Sequence, residues 1–204
     1  MEKRQYKLKQ RAEQQAQTRD RIVQATMELH EELGPRETTI SAIASRAGVQ
    51  RLTVYRHFPD DRALFQACTA HWISLHPLPD LSQWADIPSP AERCRAALLA
   101  FYGYYRRTEV MWTKSYRDLD EVPALKVPMA AVESYLGDVK QNLAAVWQAE
   151  ERSQPELLAT IGHGLRFPTW QSLHQEGLDE NAMAELVTTW ITTSAEASGA
   201  SEAL

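Results

Sequence analysis

Apolar residues recur at spacings of three and four along most of the chain, and no stretch sustains the alternation of a strand. Ile22, Thr26, Leu29 and Leu33 step by four, three and four, marking the buried face of a first helix that Gly34-Pro35 ends. Thr39 is placed to cap a short helix carrying Ile40, Ile43, Ala44 and Ala47, which stops at Gly48. A further short helix is expected from about Gln50 to His57, with Pro59 blocking its continuation. Asp60 then caps a helix whose inward positions are Leu64, Cys68, Trp72 and Leu75.

Residues 76–90 carry four prolines and little periodicity, so they read as a loop. Beyond them the pattern predicts a helix from Ala91 to about Arg107 and another capped by Thr108 and running through Tyr116. Val132, Leu136, Val139, Leu143 and Val146 form a stripe on a helix over about 128–151. Two last helices, about 154–175 and 179–197, are separated by Gly177, the second capped by Asp179. Pro168 lies inside the first of them and is expected to kink it, because proline removes a backbone donor. The tail from Ala195 is small and polar, which suits a frayed end. The expectation is an all-α protein of about nine helices.

A helix-turn-helix makes demands that residues 39–58 can meet. It needs a small residue where its two helices cross, a turn residue that tolerates positive φ, and an apolar anchor on the second helix. Ala44, Gly48 and Val54 stand at those places. Val49, Val54 and Phe58 can face inward while Gln50, Arg51, Thr53 and Arg56 face out.

The run TTISAIASRAGVQRLTVYRHFPDDRALF, residues 38–65, resembles the DNA-binding signature of the TetR family of transcriptional regulators. The resemblance implies a three-helix DNA-binding domain joined through a fourth helix to a C-terminal helical bundle that binds an effector and dimerises. It divides the chain into a basic N-terminal arm (1–16), a helix-turn-helix domain (17–60), an effector and dimerisation domain (61–197) and a flexible tail (198–204). It also implies a homodimer on a partly palindromic duplex, with Thr39 approaching phosphate and Thr53, Tyr55 and His57 touching backbone or groove. Arg51 is the candidate for base reading, since arginine bonds bidentately to guanine. Arg56 and Gln50 complete the expected DNA-facing set.

Two positions depart from the family's usual pattern. Gln50 stands where a small hydroxyl residue is common, and Asp61 where many relatives have a phosphate-touching lysine. Net charge is −5, yet residues 1–75 carry +3 and the remainder −8. Lys3, Arg4, Lys7, Lys9 and Arg11 crowd the first eleven residues, and the expectation is that this arm lies along phosphates or in the minor groove.

Five of the six tryptophans lie beyond residue 75, and Phe101, Tyr105, Met111, Trp112 and Tyr116 fall within sixteen residues. Helices this aromatic can line an apolar cavity. Phe101, Tyr105, Trp112, Tyr116 and Trp147 are therefore the candidates for binding a small, mostly apolar or aromatic effector. Residues 161–173 and the helix after Asp179 resemble the family's dimerising pair. The expected interface is Leu158, Ile161, Gly162, Leu165, Thr169 and Leu173 with Met183, Leu186, Val187 and Trp190.

No stretch of about 18 uncharged apolar residues is present, and the N-terminus has no apolar segment after its charges, so neither a membrane span nor a secretory signal is expected. Cys68 and Cys94 offer no disulfide framework and no metal spacing, which suits a reducing cytoplasm. No HExxH, G-x-S-x-G, Walker or dinucleotide motif occurs, so no catalytic residues, metal or cofactor are expected. Two alternatives stay open: the same fold without an effector, and an enzyme housed in the helical body.

Overall fold

The structure, a computed structural model, describes residues 2–147, 151 and 153–196, with backbone only for residues 2–4. Among the described residues the regular secondary structure is all helix, with no strand. Nine α-helices follow in order: α1 (Glu2–Glu32), α2 (Ile40–Ala47), α3 (Arg51–His57), α4 (Asp61–Leu75), α5 (Pro90–Asp118), α6 (Lys126–Ala144), α7 (Gln154–Gly164), α8 (Phe167–Gln175) and α9 (Glu180–Glu196). Short 3-10 turns occupy Leu81–Gln83 and Pro123–Leu125. None of the described helices is long and apolar enough to cross a membrane.

The chain forms two compact units. The first takes the chain up to Pro77 and again Val110–Ala130; the second takes Leu78–Glu109 and the chain from Ala131 onward. Helix α4, which opens the second expected domain, therefore belongs to the first compact unit. Its core joins Ile22, Val23, Ala25 and Leu29 of α1 to Ile43, Ala44 and Ala47 of α2, Val54 of α3, Phe58 and Leu64. The second unit buries Leu98, Phe101, Tyr102, Tyr105, Val139, Leu143, Ile161, Trp170 and Val187.

Several sequence expectations are corrected. Helix α5 is continuous where two helices were expected. Thr108 lies buried inside it and donates back to the Tyr104 carbonyl at 2.7 Å, so its hydroxyl serves the ongoing helix and caps nothing. Pro168 kinks no helix: the chain breaks at Arg166, whose ψ of 145° is extended, and α8 begins with Pro168 in its first turn. There the missing N–H has no helical partner to lose. Helix α6 ends at Ala144, short of Val146. Leu33 and Leu75, expected inside, are 43% and 52% exposed, because the first lies just past the end of α1 and the second is the last residue of α4.

The basic N-terminal segment is also more regular than an arm. Residues 2–16 continue α1 as one 31-residue helix, and residues 5–17 are exposed on every face.

Candidate nucleic-acid interface

The α2–α3 corner is built by local chemistry. Thr39 Oγ1 accepts the Ala42 N–H at 3.1 Å, satisfying one of the orphan donors that begin a helix. At the other end Gly48 sits at φ 65°, ψ 40°, a conformation that penalises any residue with a Cβ. Its N–H reaches the Ser45 carbonyl at 3.2 Å, and that of Val49 reaches Ala44 at 2.9 Å. Two such bonds around a left-handed glycine close the end of α2 and turn the chain sharply into α3.

Helix α3 is anchored by Val54, which is fully buried, and Phe58, whose ring carries the Arg19 guanidinium 4.8 Å from its centre. With Val54 inward, Arg51, Tyr55 and Arg56 stand exposed, while Thr53 and His57 are half-buried. Gln50 is extended at φ −79°, ψ 150° and its side chain makes no cap bond, so the amide remains exposed at the start of α3. Arg51 and Arg56 enter no ion pair among the described residues, whereas Arg46 is held in a fork by Glu32 at 2.6 and 2.7 Å. Unpaired guanidiniums on an exposed helix are free to meet phosphate or guanine.

The second helix-turn-helix edge is acidic. Asp60 Oδ1 accepts the Ala63 N–H at 2.8 Å, capping α4, and Asp61 lies exposed in its first turn. Leu52 was missed by the sequence reading. It is 57% exposed and two residues from Val54, which on a helix is nearly the opposite face. An apolar side chain there can meet a thymine methyl group.

The five effector candidates fall into both units. Phe101 and Tyr105 are together in the second, ring centres 6.1 Å apart, and Tyr105 also meets Phe167 at 5.5 Å and Trp170 at 6.1 Å. The Tyr105 hydroxyl donates to the Leu165 carbonyl at 2.8 Å. Trp112 and Tyr116 belong to the first unit, where Trp112 meets Trp72 edge-on at 6.0 Å. Trp147 lies half-buried past the end of α6, beside Cys94. Trp84 and Trp170, not selected from sequence, are fully buried in the second unit, and neither indole N–H has a hydrogen-bond partner.

The interface candidates also divide. Ile161, Leu165, Met183 and Val187 are fully buried within their own unit, and Thr169 nearly so, leaving them little surface to offer a second copy. Leu158, Gly162 and Leu173 are half-buried, and Leu186 and Trp190 are each 37% exposed.

An exposed, polar helix set against two others by a fixed glycine turn is the arrangement of a helix-turn-helix. Residues 22–68 match the family of bacterial regulatory proteins, tetR family. Three solved structures agree over most of the chain. A TetR-like transcriptional regulator from Rhodococcus sp. RHA1 is 20% identical, with 86% of this chain and 94% of that one covered at a TM-score of 0.63. A second transcriptional regulator from Rhodococcus sp. Rha1 is 18% identical, with the same coverages and a TM-score of 0.59. The multidrug binding protein EbrR, solved with imidazole, is 21% identical, covering 85% of this chain and 89% of its own at a TM-score of 0.54. At these identities the likeness is one of fold. A comparison with curated proteins found no match.

Proposed function

We propose that the protein is a homodimeric transcriptional repressor that reads a partly palindromic operator with α3 and is released by a small, mostly apolar or aromatic effector. The observation that carries this reading is the exposed face of α3, where Gln50, Arg51, Tyr55 and Arg56 surround a single buried anchor. Thr53 and His57 flank that face, and Thr39 presents the start of α2, where backbone N–H groups favour phosphate. Lys7, Lys9 and Arg11, exposed on the early turns of α1, add charge for the duplex backbone.

Dimerisation would use the surface that α7, α8 and α9 retain: Leu158, Gly162, Leu173, Leu186 and Trp190. The effector would enter the aromatic group of the second unit around Phe101 and Tyr105. The unpartnered indole donors of Trp84 and Trp170 support this, since a buried donor without an acceptor is a penalty that a ligand oxygen removes. The fold shared with EbrR, a multidrug binding protein, is consistent with such a role. Release requires the effector to prefer the shape that cannot span two half-sites; about 5.5 kcal/mol of preference moves a 1:99 balance to 99:1. Acting on a bacterial promoter would place the protein in the cytoplasm.

Selection of bound duplexes from a random pool tests the central reading. An enriched inverted repeat is expected, with half-sites about 34–36 Å apart. Arg51→Ala should relax the preference at one base pair by about 1–3 kcal/mol. A pool that stays random through successive rounds would overturn the reading.

A further inference from the structure

A cleft of about 780 Å³ lies wholly within the first unit. Ile40 and Ile43 of α2 form one side, Leu64 and Phe65 of α4 another, and Val122 and Val127 a third. The volume falls in the range of small-molecule sites, roughly 300–1,000 Å³.

His30 also lines the cleft, and it is the group that asks for a ligand. Its side chain is 5% exposed, its ring centre lies 4.8 Å from that of Phe65, and Nδ1 stands 3.7 Å from Cys68 Sγ. Nε2 is buried and has no hydrogen-bond partner. Native interiors rarely leave such an atom unsatisfied. Burial pulls the pKa of the ring down to about 4, so the imidazole is neutral near pH 7 and calls for a neutral partner. A hydroxyl suits it in either tautomer, donating to a bare Nε2 or accepting from Nε2–H. The rim disfavours anions, with Asp60, Asp61 and Glu121 against Arg36 and Arg62, and Arg36 is already tied to Glu37 and Glu121.

We propose that this cleft binds a neutral, mostly apolar molecule bearing a hydroxyl group, of the phenol or naphthol class, with the hydroxyl on His30 Nε2. The site belongs to the DNA-binding unit, unlike the aromatic group around Phe101 and Tyr105. An occupant would touch α2, which Thr39 caps, and the start of α4, which directly follows the DNA-facing helix.

The full chain without DNA is titrated with 2-naphthol by calorimetry, and the His30 ring nitrogens are followed by long-range proton–nitrogen correlation. Saturable binding of one molecule per chain at this cleft is expected, with a shift of the His30 Nε2 resonance. Naphthalene, lacking the hydroxyl, should bind about tenfold more weakly. His30→Phe should erase the difference between the two compounds, and Ala124→Trp, at a half-exposed lining position, should abolish binding at the cleft. No saturable binding, an unmoved His30 resonance, equal affinities for both compounds, or 2-naphthol binding unchanged in both variants would each overturn the proposal. Because no DNA is present, these outcomes are independent of whether the operator reading stands.

Discussion

The carboxylate of Asp118, at the last residue of α5, accepts the backbone N–H of Arg36 at 3.0 Å across 82 residues of sequence. Around this bond the end of α5 grips the α1–α2 junction. Lys114 Nζ donates to the carbonyls of Glu31 and Glu32, and Arg117 to that of Leu33 at 3.1 Å. These are the carbonyls that the end of a helix leaves unpaired, so α5 caps α1 from outside. Gly34 makes the approach possible. It turns at φ 95°, and a Cβ there would stand 2.2 Å from Arg117 Nη2 and 2.6 Å from Asp118 Oδ2.

Asp118 should therefore matter to stability although it lies outside the helix-turn-helix sequence. Asp118→Ala strands the Arg36 N–H and is expected to cost roughly 1–3 kcal/mol in urea unfolding. Asp118→Asn keeps an acceptor and should cost less. The Arg117 hydrogen bond holds this carboxyl below its ordinary value of 3.8. Its contribution is thus full above the unfolded pKa and fades as pH falls through the lower folded one. The Asn variant should lack that acid-dependent component.

His30 predicts a different pH window. Burial holds its folded pKa at about 4 against 6.5 unfolded, so the unfolded chain binds more protons between those values. Stability should decline as pH falls from about 6.5 to about 4, by an amount on the order of 3 kcal/mol. His30→Phe should flatten that limb of the profile while leaving the more acidic Asp118 limb in place. An identical slope in the variant would show that His30 is solvated in the fold.

Gly164 tests the packing of α7 against α9. A Cβ there would lie 2.5 Å from Val187 Cγ1 and 3.5 Å from Leu98 Cδ2. Gly164→Ala is expected to destabilise the protein by about 1–3 kcal/mol through overpacking. Adding Val187→Ala should recover part of that loss, so the pair will be non-additive. Full additivity in the double mutant would place the strain elsewhere.

Replacing Lys7, Lys9 and Arg11 together by alanine probes the early turns of α1. If each touches a phosphate, the slope of log affinity against log salt should fall by about 0.9 per lost contact. An unchanged slope would remove this helix from the DNA interface. Circular dichroism should show helix content retained, since alanine is the best helix former.

Leu186→Glu with Trp190→Glu should shift sedimentation toward a monomer with little loss of melting temperature. Both side chains are partly exposed, so a large drop in thermal stability without dissociation would assign them to the protomer's own packing.

What could be read directly from the chain is what short-range chemistry dictates. Thr39, Asp60 and Asp179 each accept an N–H three residues on, and Gly48 holds the left-handed turn; caps and turns need only neighbours in sequence. The buried faces of α1 through α4 followed from helical periodicity for the same reason. Periodicity does not say where a core ends, and so it misjudged Leu33 and Leu75. Nor does residue type choose between a cap and a back-bonded interior position, which misplaced Thr108. The bond from Arg36 N–H to Asp118, the unspent nitrogen of His30 and the unpaired indoles of Trp84 and Trp170 depend on groups tens of residues away. Those side chains look ordinary in the sequence, and their consequences arise when folding removes water from them and chooses what stands opposite.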